Sequence, residues 1–199
     1  MITYLALGDS YTIGEQVPLA ESFPYQAVQI LRKKGLEISS PEIIAKTGWT
    51  TGELLTAVSE TNFLKEYDFV SLLIGVNNQY RGRNADEYKV EFENLVNQSI
   101  GFTSNNPEHV FVLSIPNWGI TPFAEGRDRN KITTEIDNYN KACKIITEKA
   151  GCIFIDNTAA QRENDSIEML AGDGLHPSGK EYAKWSEKLA TIIFAAHSP

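Results

Sequence analysis

Gly8-Asp9-Ser10 places a serine in a tight turn near the N-terminus, and Asp173-Gly174-Leu175-His176-Pro177 places an aspartate three residues before a histidine near the C-terminus. A serine hydroxyl is a weak nucleophile until a base takes its proton. His176 is the candidate base. Asp173 can reach its far ring nitrogen, hold one tautomer and offset the imidazolium charge. Attack by such a serine on an ester carbonyl puts negative charge on the carbonyl oxygen. Each preorganised donor aimed at that oxygen lowers the barrier by roughly 3–4 kcal/mol. Two further segments offer donors: Thr47-Gly48-Trp49 through the Gly48 backbone N–H, and Gly75-Val76-Asn77-Asn78 through the Asn77 side-chain amide. The Ser10 backbone N–H is a third. This inventory suffices for acyl transfer through a serine ester.

These groups work together only if elements end where they stand. Short apolar runs alternate with helical patterns from end to end. Ile2–Leu7 reads as a strand running into Gly8, and Glu21–Lys34 as a helix closed by Gly35. Glu42–Lys46 reads as a second strand, and Thr50-Thr51-Gly52-Glu53 as a capping box opening a helix to about Glu60. Phe69–Ile74 is strongly apolar, as a parallel strand buried on both faces is. Asn84 and Glu87 form a looser capping pair for a long helix with the face Tyr88, Phe92, Leu95, Val96 and Ile100. Val110–Ser114 and Cys152–Ile155 are the last strands, separated by a helix lined by Ile132, Ile136, Tyr139, Cys143 and Ile146. Ser178-Gly179-Lys180-Glu181 caps a final helix to about Ala196.

Five strands alternating with helices imply a parallel sheet covered on both sides, a three-layer α/β/α sandwich with right-handed crossovers. Ligands bind beyond the carboxyl ends of such strands, and all four segments fall on that edge. The irregular stretch Pro116–Asn130 follows the fourth strand, a position that favours a site wall. Trp49 and Trp118 are candidate substrate walls, with Phe123 beside them, while Arg127-Asp128-Arg129 reads as a solvated loop.

In this order the four segments resemble the SGNH (GDSL-type) hydrolases. That pattern has a Gly-Asp-Ser block near the N-terminus, a glycine after the second strand, a Gly-x-Asn-Asp block after the third and an Asp-x-x-His block near the C-terminus. The resemblance runs from Gly8 to His176 and includes the continuation Ser10-Tyr11-Thr12-Ile13-Gly14. It implies a flavodoxin-like sheet, a triad of Ser10, His176 and Asp173, and an oxyanion hole from Ser10, Gly48 and Asn77. The expected reaction is hydrolysis of a small-molecule ester with a short to medium acyl chain, through an acyl-enzyme. Carbohydrate acetyl esters, lysophospholipids and acyl transfer to an alcohol would use the same site, and a non-catalytic acyl-binding module would keep the fold without turnover. One position departs: Asn78 stands where the pattern has aspartate, which puts the bracing of that loop in question.

Competing assignments stay open at several positions. Asp156, ending the fifth strand, and Asp165 are alternative acids. Gly52 competes with Gly48 but lies inside the capped helix start, and Asn78 competes with Asn77, which stands two residues after Gly75. His109 and His197 have no aspartate three residues back. Asp9 reads as a brace for its turn.

Composition narrows the class further. A chain of 199 residues suits one domain spanning 1–199, able to bury roughly 70% of its unfolded surface. Hydrophobic residues at 42% and charged residues at 22% are globular values. Eighteen Lys and Arg against 26 Asp and Glu give a net charge of −8. Nucleic acid and anionic membrane surfaces are therefore poor partners. No apolar run approaches the ~20 residues of a membrane span. Met1–Leu7 has neither the basic segment nor the apolar core of a signal peptide, so a cytoplasmic protein is expected. Cys143 and Cys152 read as small buried hydrophobes, with no special support for a bridge between them. Neither a metal cluster nor a G-x-G-x-x-G or P-loop motif is present in the sequence, so no cofactor is expected. A flavin phosphate loop after the first strand would leave Asp173 and His176 unexplained.

Overall fold

Five parallel strands carry the structure: β1 (Tyr4–Gly8), β2 (Glu42–Ala45), β3 (Phe69–Leu73), β4 (Val110–Leu113) and β5 (Ile153–Ile155), in the spatial order 2-1-3-4-5. This is a computed structural model, which describes residues 1–163 and 166–197. Every residue of β1, β3 and β4 is buried, which is why these runs are apolar at successive positions rather than alternate ones. The edge strand β2 is only half-buried. The strand order reverses between β1 and β3, so the chain leaves these two neighbours toward opposite faces. A crevice opens at their carboxyl ends.

The strand limits differ slightly from the sequence reading. Ile2 makes only an isolated bridge to Ile38, so β1 starts at Tyr4 and runs through Gly8. β2, β3 and β4 each stop one residue earlier than the sequence suggests, where the chain lifts over the sheet edge, and β5 begins at Ile153 rather than Cys152.

Eight α-helices are described: α1 (Ser10–Ile13), α2 (Phe23–Lys33), α3 (Thr51–Glu60), α4 (Val76–Tyr80), α5 (Ala85–Phe102), α6 (Arg129–Lys149), α7 (Thr158–Glu163) and α8 (Gly179–His197). α2 and α8 pack together on one face of the sheet, while α3, α5 and α6 cover the other. Helix α2 starts two residues later than expected because Leu19–Glu21 forms a separate 3-10 turn and Pro24 occupies the first helical turn. The Thr50–Glu53 capping box forms in both directions. The cap of α5 is Asn84 alone, accepting the Asp86 N–H rather than pairing with Glu87. Helices α1, α4 and α7 escape a periodicity argument because four to six residues complete hardly more than one turn. The stretch after β4 is two 3-10 turns, Trp118–Ile120 and Pro122–Ala124, leading into α6. Cys143 and Cys152 are buried and unbridged, and burial pushes their thiols up to about 12 and about 11.

Candidate active site

Strand β1 delivers its last residue, Gly8, into a cramped corner. A Cβ there would overlap both Thr12 Oγ1 and the Leu73 carbonyl oxygen, so only glycine fits. The chain then turns directly into α1. Asp9 caps that helix, its Oδ1 accepting the Tyr11 N–H at 3.0 Å. Ser10 becomes the first helical residue, and its own N–H, lacking a helical partner, donates no hydrogen bond among the described residues. The turn-bracing role expected of Asp9 is what the geometry shows. Burial pushes its carboxyl up to about 7, against the opposing pull of hydrogen bonds from Tyr11 and Asn77.

Ser10 Oγ lies 3.0 Å from His176 Nε2, and His176 Nδ1 lies 2.6 Å from Asp173 Oδ2. The second carboxylate oxygen, Oδ1, accepts the backbone N–H groups of Leu175 and His176, each at 3.0 Å. One aspartate therefore fixes both the loop and the imidazole. Partial burial raises the Asp173 carboxyl, but the hydrogen bonds from the His176 ring and from the two backbone amides outweigh it and hold it below the usual carboxylate range. Tyr11 packs beneath the imidazole with ring centroids 5.2 Å apart. Ser10 and His176 are almost fully buried, whereas the Asp173 side chain keeps 28% of its surface.

Asp156, His109 and Gly52 are placed elsewhere in the fold. Asp156 caps α7, its carboxylate accepting the Ala159 N–H at 3.0 Å and the Ser114 hydroxyl at 3.4 Å. Asp165 lies outside the described residues. His109 packs on Phe69, at the opposite end of the sheet, and His197 ends α8. Gly52 lies within α3.

Gly48 takes a left-handed conformation, φ 83°, which explains the residue type. Its N–H makes no hydrogen bond among the described residues, while its carbonyl accepts Arg81 Nη2 at 2.6 Å. Asn77 reaches the same rim, but its amide is already in use: Nδ2 donates to the Trp49 carbonyl at 3.0 Å and, loosely, to Asp9 Oδ2 at 3.4 Å. The neighbouring Asn78 points the other way and is fully buried. Its Oδ1 accepts the Thr51 N–H at 3.0 Å, and its Nδ2 donates to Thr51 Oγ1 at 2.7 Å. Thr51 Oγ1 in turn donates to Glu91 Oε2. Having spent its proton on Glu91, that hydroxyl can only accept from residue 78. An amide satisfies it and a carboxylate would not, so the departure at this position is answered within the structure.

A pocket of about 200 Å³ opens over these groups, lined by Ser10, Gly48, Asn77 and His176 together with a mostly apolar wall that includes Tyr80, Trp118 and Phe123. Trp118 lines this pocket. Trp49 does not: Gly48 faces the pocket, while the Trp49 side chain packs against the core. Tyr80 is a wall residue that the sequence reading misses. Its place follows from α4, a turn too short to read, which brings residues three apart, Asn77 and Tyr80, to one side. Trp118 is held from behind, its Nε1–H donating to Gln79 Oε1 at 2.7 Å and Gln79 Nε2 donating to Glu135 at 2.8 Å. Arg127 is the exposed loop residue the sequence suggests, yet its guanidinium is not adrift in solvent. Its guanidinium carbon sits 5.1, 5.3 and 5.6 Å from the ring centres of Tyr80, Trp118 and Phe123. No cluster of three or more metal-ligating side chains occurs among the described residues.

Known proteins share this fold. The model of the GDSL-like lipase/acylhydrolase family matches residues 6–184. An acetylxylan esterase from Geobacillus stearothermophilus is 25% identical over 187 residues, 87% of this chain and 75% of that one. Among solved structures, a lipase/acylhydrolase from Enterococcus faecalis superposes with a TM-score of 0.80 at 20% identity, covering 100% of this chain and 98% of that one. The structure of the Geobacillus stearothermophilus acetylxylan esterase gives 0.75 at 21% identity, covering 96% and 94%.

Proposed function

The chain belongs to the GDSL-like lipase/acylhydrolase family and is a carboxylic ester hydrolase, and on that premise we propose that Ser10, His176 and Asp173 carry the reaction within a single domain. Ser10 Oγ attacks the ester carbonyl as His176 Nε2 removes its proton. Asp173 Oδ2 holds the Nδ1–H and balances the imidazolium that forms. The tetrahedral oxyanion faces the Ser10 and Gly48 N–H groups, neither of which has a partner to give up among the described residues. It also meets the loosely held hydrogen of Asn77, the one reaching 3.4 Å toward Asp9. His176 returns the proton to the departing alcohol, and water then releases the acid by the same path.

The observation that carries this reading is the unbroken chain of contacts from Ser10 to His176 at 3.0 Å and on to Asp173 at 2.6 Å. A pocket of about 200 Å³ favours a short acyl group, below the roughly 300 Å³ at which pockets for drug-sized ligands begin. Hydrolysis of p-nitrophenyl esters from acetyl to decanoyl, beside Ser10→Ala, is the test. Turnover is expected to peak at the short end and vanish in the variant. Full activity in Ser10→Ala, or a maximum at decanoyl, would refute it. Acetylated carbohydrate is a second reading, favoured by the similarity to an acetylxylan esterase. It predicts acetate release from acetylated xylooligosaccharides that is likewise lost in Ser10→Ala.

A further inference from the structure

Arg127 stands apart from the other charges near the pocket. Arg81, on the opposite rim, is committed to Glu53 at 3.2 Å and to the Gly48 carbonyl. Arg127 has no carboxylate partner among the described residues. Its polar side-chain contact is Nη2 donating to the Tyr80 hydroxyl at 3.1 Å. Its guanidinium is set among three rings that also pack on one another: Tyr80 and Trp118 have centroids 5.4 Å apart, and Trp118 and Phe123 6.0 Å apart. Stacking occupies the face of a guanidinium and leaves its edge donors free for a planar anion.

A shallow groove continues from the pocket across Tyr80 and Trp118, lined further by Arg127, Asp128, Lys131 and Glu135. Its two carboxylates are already engaged. Asp128 accepts the Lys131 N–H as the cap of α6, and Glu135 holds Gln79 and lies 3.9 Å from Lys131 Nζ. Neither carboxylate pairs with Arg127, so the edge donors of its guanidinium meet no carboxylate among the described residues. A substrate bound at Ser10 and too large for the pocket would run over the shared aromatic wall toward it.

We propose that Arg127 is a specificity residue that selects esters carrying an anionic group, carboxylate or phosphate, on the half of the substrate lying outside the catalytic pocket. This rests on the ester-hydrolase reading of Ser10. The rings confine the guanidinium to one side of the groove, so less of its freedom is lost when its donors meet the anion.

The test uses acetyl esters of one benzyl alcohol scaffold that differ only at the para position: 4-(acetoxymethyl)benzoate, the corresponding phosphonate, the neutral carboxamide and the trimethylammonium analogue. The anionic esters are expected to exceed the carboxamide about tenfold in kcat/KM, mainly through KM, the size of one charge-assisted hydrogen bond at a wet surface. Arg127→Gln should bring the ratio near one, and Arg127→Lys should keep part of it, charge without the planar fork. The benzoate and phosphonate arms show which anion is preferred. Equal rates for anionic and neutral esters in the native protein would overturn the proposal, as would a preference that survives Arg127→Gln. Preference for the ammonium ester would also overturn it, since the rings would then be the cation site and Arg127 a displaced occupant. Loss of carboxamide hydrolysis in Ser10→Ala reports separately on the underlying reading. If the carboxamide ester were cleaved equally well by Ser10→Ala, both readings would fall.

Discussion

The catalytic loop and the aromatic wall face each other across one pocket, and they are held by different forces. On the loop side, Asp173, His176 and Ser10 form a chain of short hydrogen bonds, and Asp173 also takes two backbone amides. On the wall side, Tyr80, Trp118 and Phe123 lean on one another through edge-on and tilted ring contacts, with the Arg127 guanidinium over them, and Tyr80 and Phe123 remain 45% and 40% exposed. The two sides meet where the Phe123 N–H donates to the Gly174 carbonyl at 3.2 Å. Directional bonds fix a reaction geometry to a few tenths of an ångström. Ring contacts tolerate shifts, which suits a surface that chooses among substrates. Damage to the loop should therefore fall on kcat, and damage to the wall on KM.

The largest effect tests the loop side. Asp173→Asn keeps the acceptor for the backbone amides but removes the charge that fixes the imidazole tautomer. A loss of roughly 10⁴-fold in kcat is expected, with the melting temperature little changed. A loss below about tenfold would mean that another acid serves His176. Next comes Asn77→Ala, which removes the proposed oxyanion donor and the anchor on the Trp49 carbonyl. A fall of about 10²- to 10³-fold in kcat follows from the donor alone. If KM rose and kcat held, Asn77 would be a scaffold for Trp49 and nothing more.

The wall side is tested through the residue behind it. Gln79→Leu strands the Trp118 indole N–H and frees Glu135. Leaving a buried donor unpaired costs roughly 1–3 kcal/mol, so melting should fall by several degrees. KM for esters with bulky alcohols should rise several-fold while kcat for p-nitrophenyl acetate stays close to native. Equal losses in kcat for both substrates would show that wall and loop move together, and the contrast between them would be gone.

How far each side is readable from sequence follows the same divide. The strand ends are readable because apolar runs buried on both faces of a parallel sheet are hard to mistake, and Ser10, Gly48, Asn77, Asp173 and His176 all stand at the edge where such strands end. The wall is not. Tyr80 depends on α4, one turn with no periodicity of its own, and Arg127 depends on three rings from two different segments meeting in space. Trp49 and Trp118 both follow strand ends closely, and nothing local distinguishes the one that packs inward. The role of Asn78 is hidden for a related reason. The need for an amide arises from a hydroxyl on α3 and a carboxylate on α5, far away in sequence.

The smallest effect concerns Asp9, which lies beneath both sides. Its carboxyl is fully buried, and burial pushes it up to about 7 from an ordinary value of 3.8. A carboxyl raised on folding contributes stability that is fully present below pH 3.8 and is lost as pH rises through about 7, because the folded state then holds an ionised group away from water. The whole shift sets a ceiling, and relaxation around the charge brings the expected loss to about 2 kcal/mol. Asp9→Asn keeps the acceptor for the Tyr11 N–H but cannot ionise. The melting temperature of the variant minus that of the native protein should therefore climb with pH between about 4 and 8, by roughly 4–8 °C. The same substitution turns amide hydrogens at position 9 toward Asn77 Nδ2, donor against donor, so kcat should drop modestly at every pH. A difference in melting temperature that stays flat across that pH range would mean that Asp9 is ionised throughout, stabilised by the Tyr11 and Asn77 donors more strongly than burial opposes it.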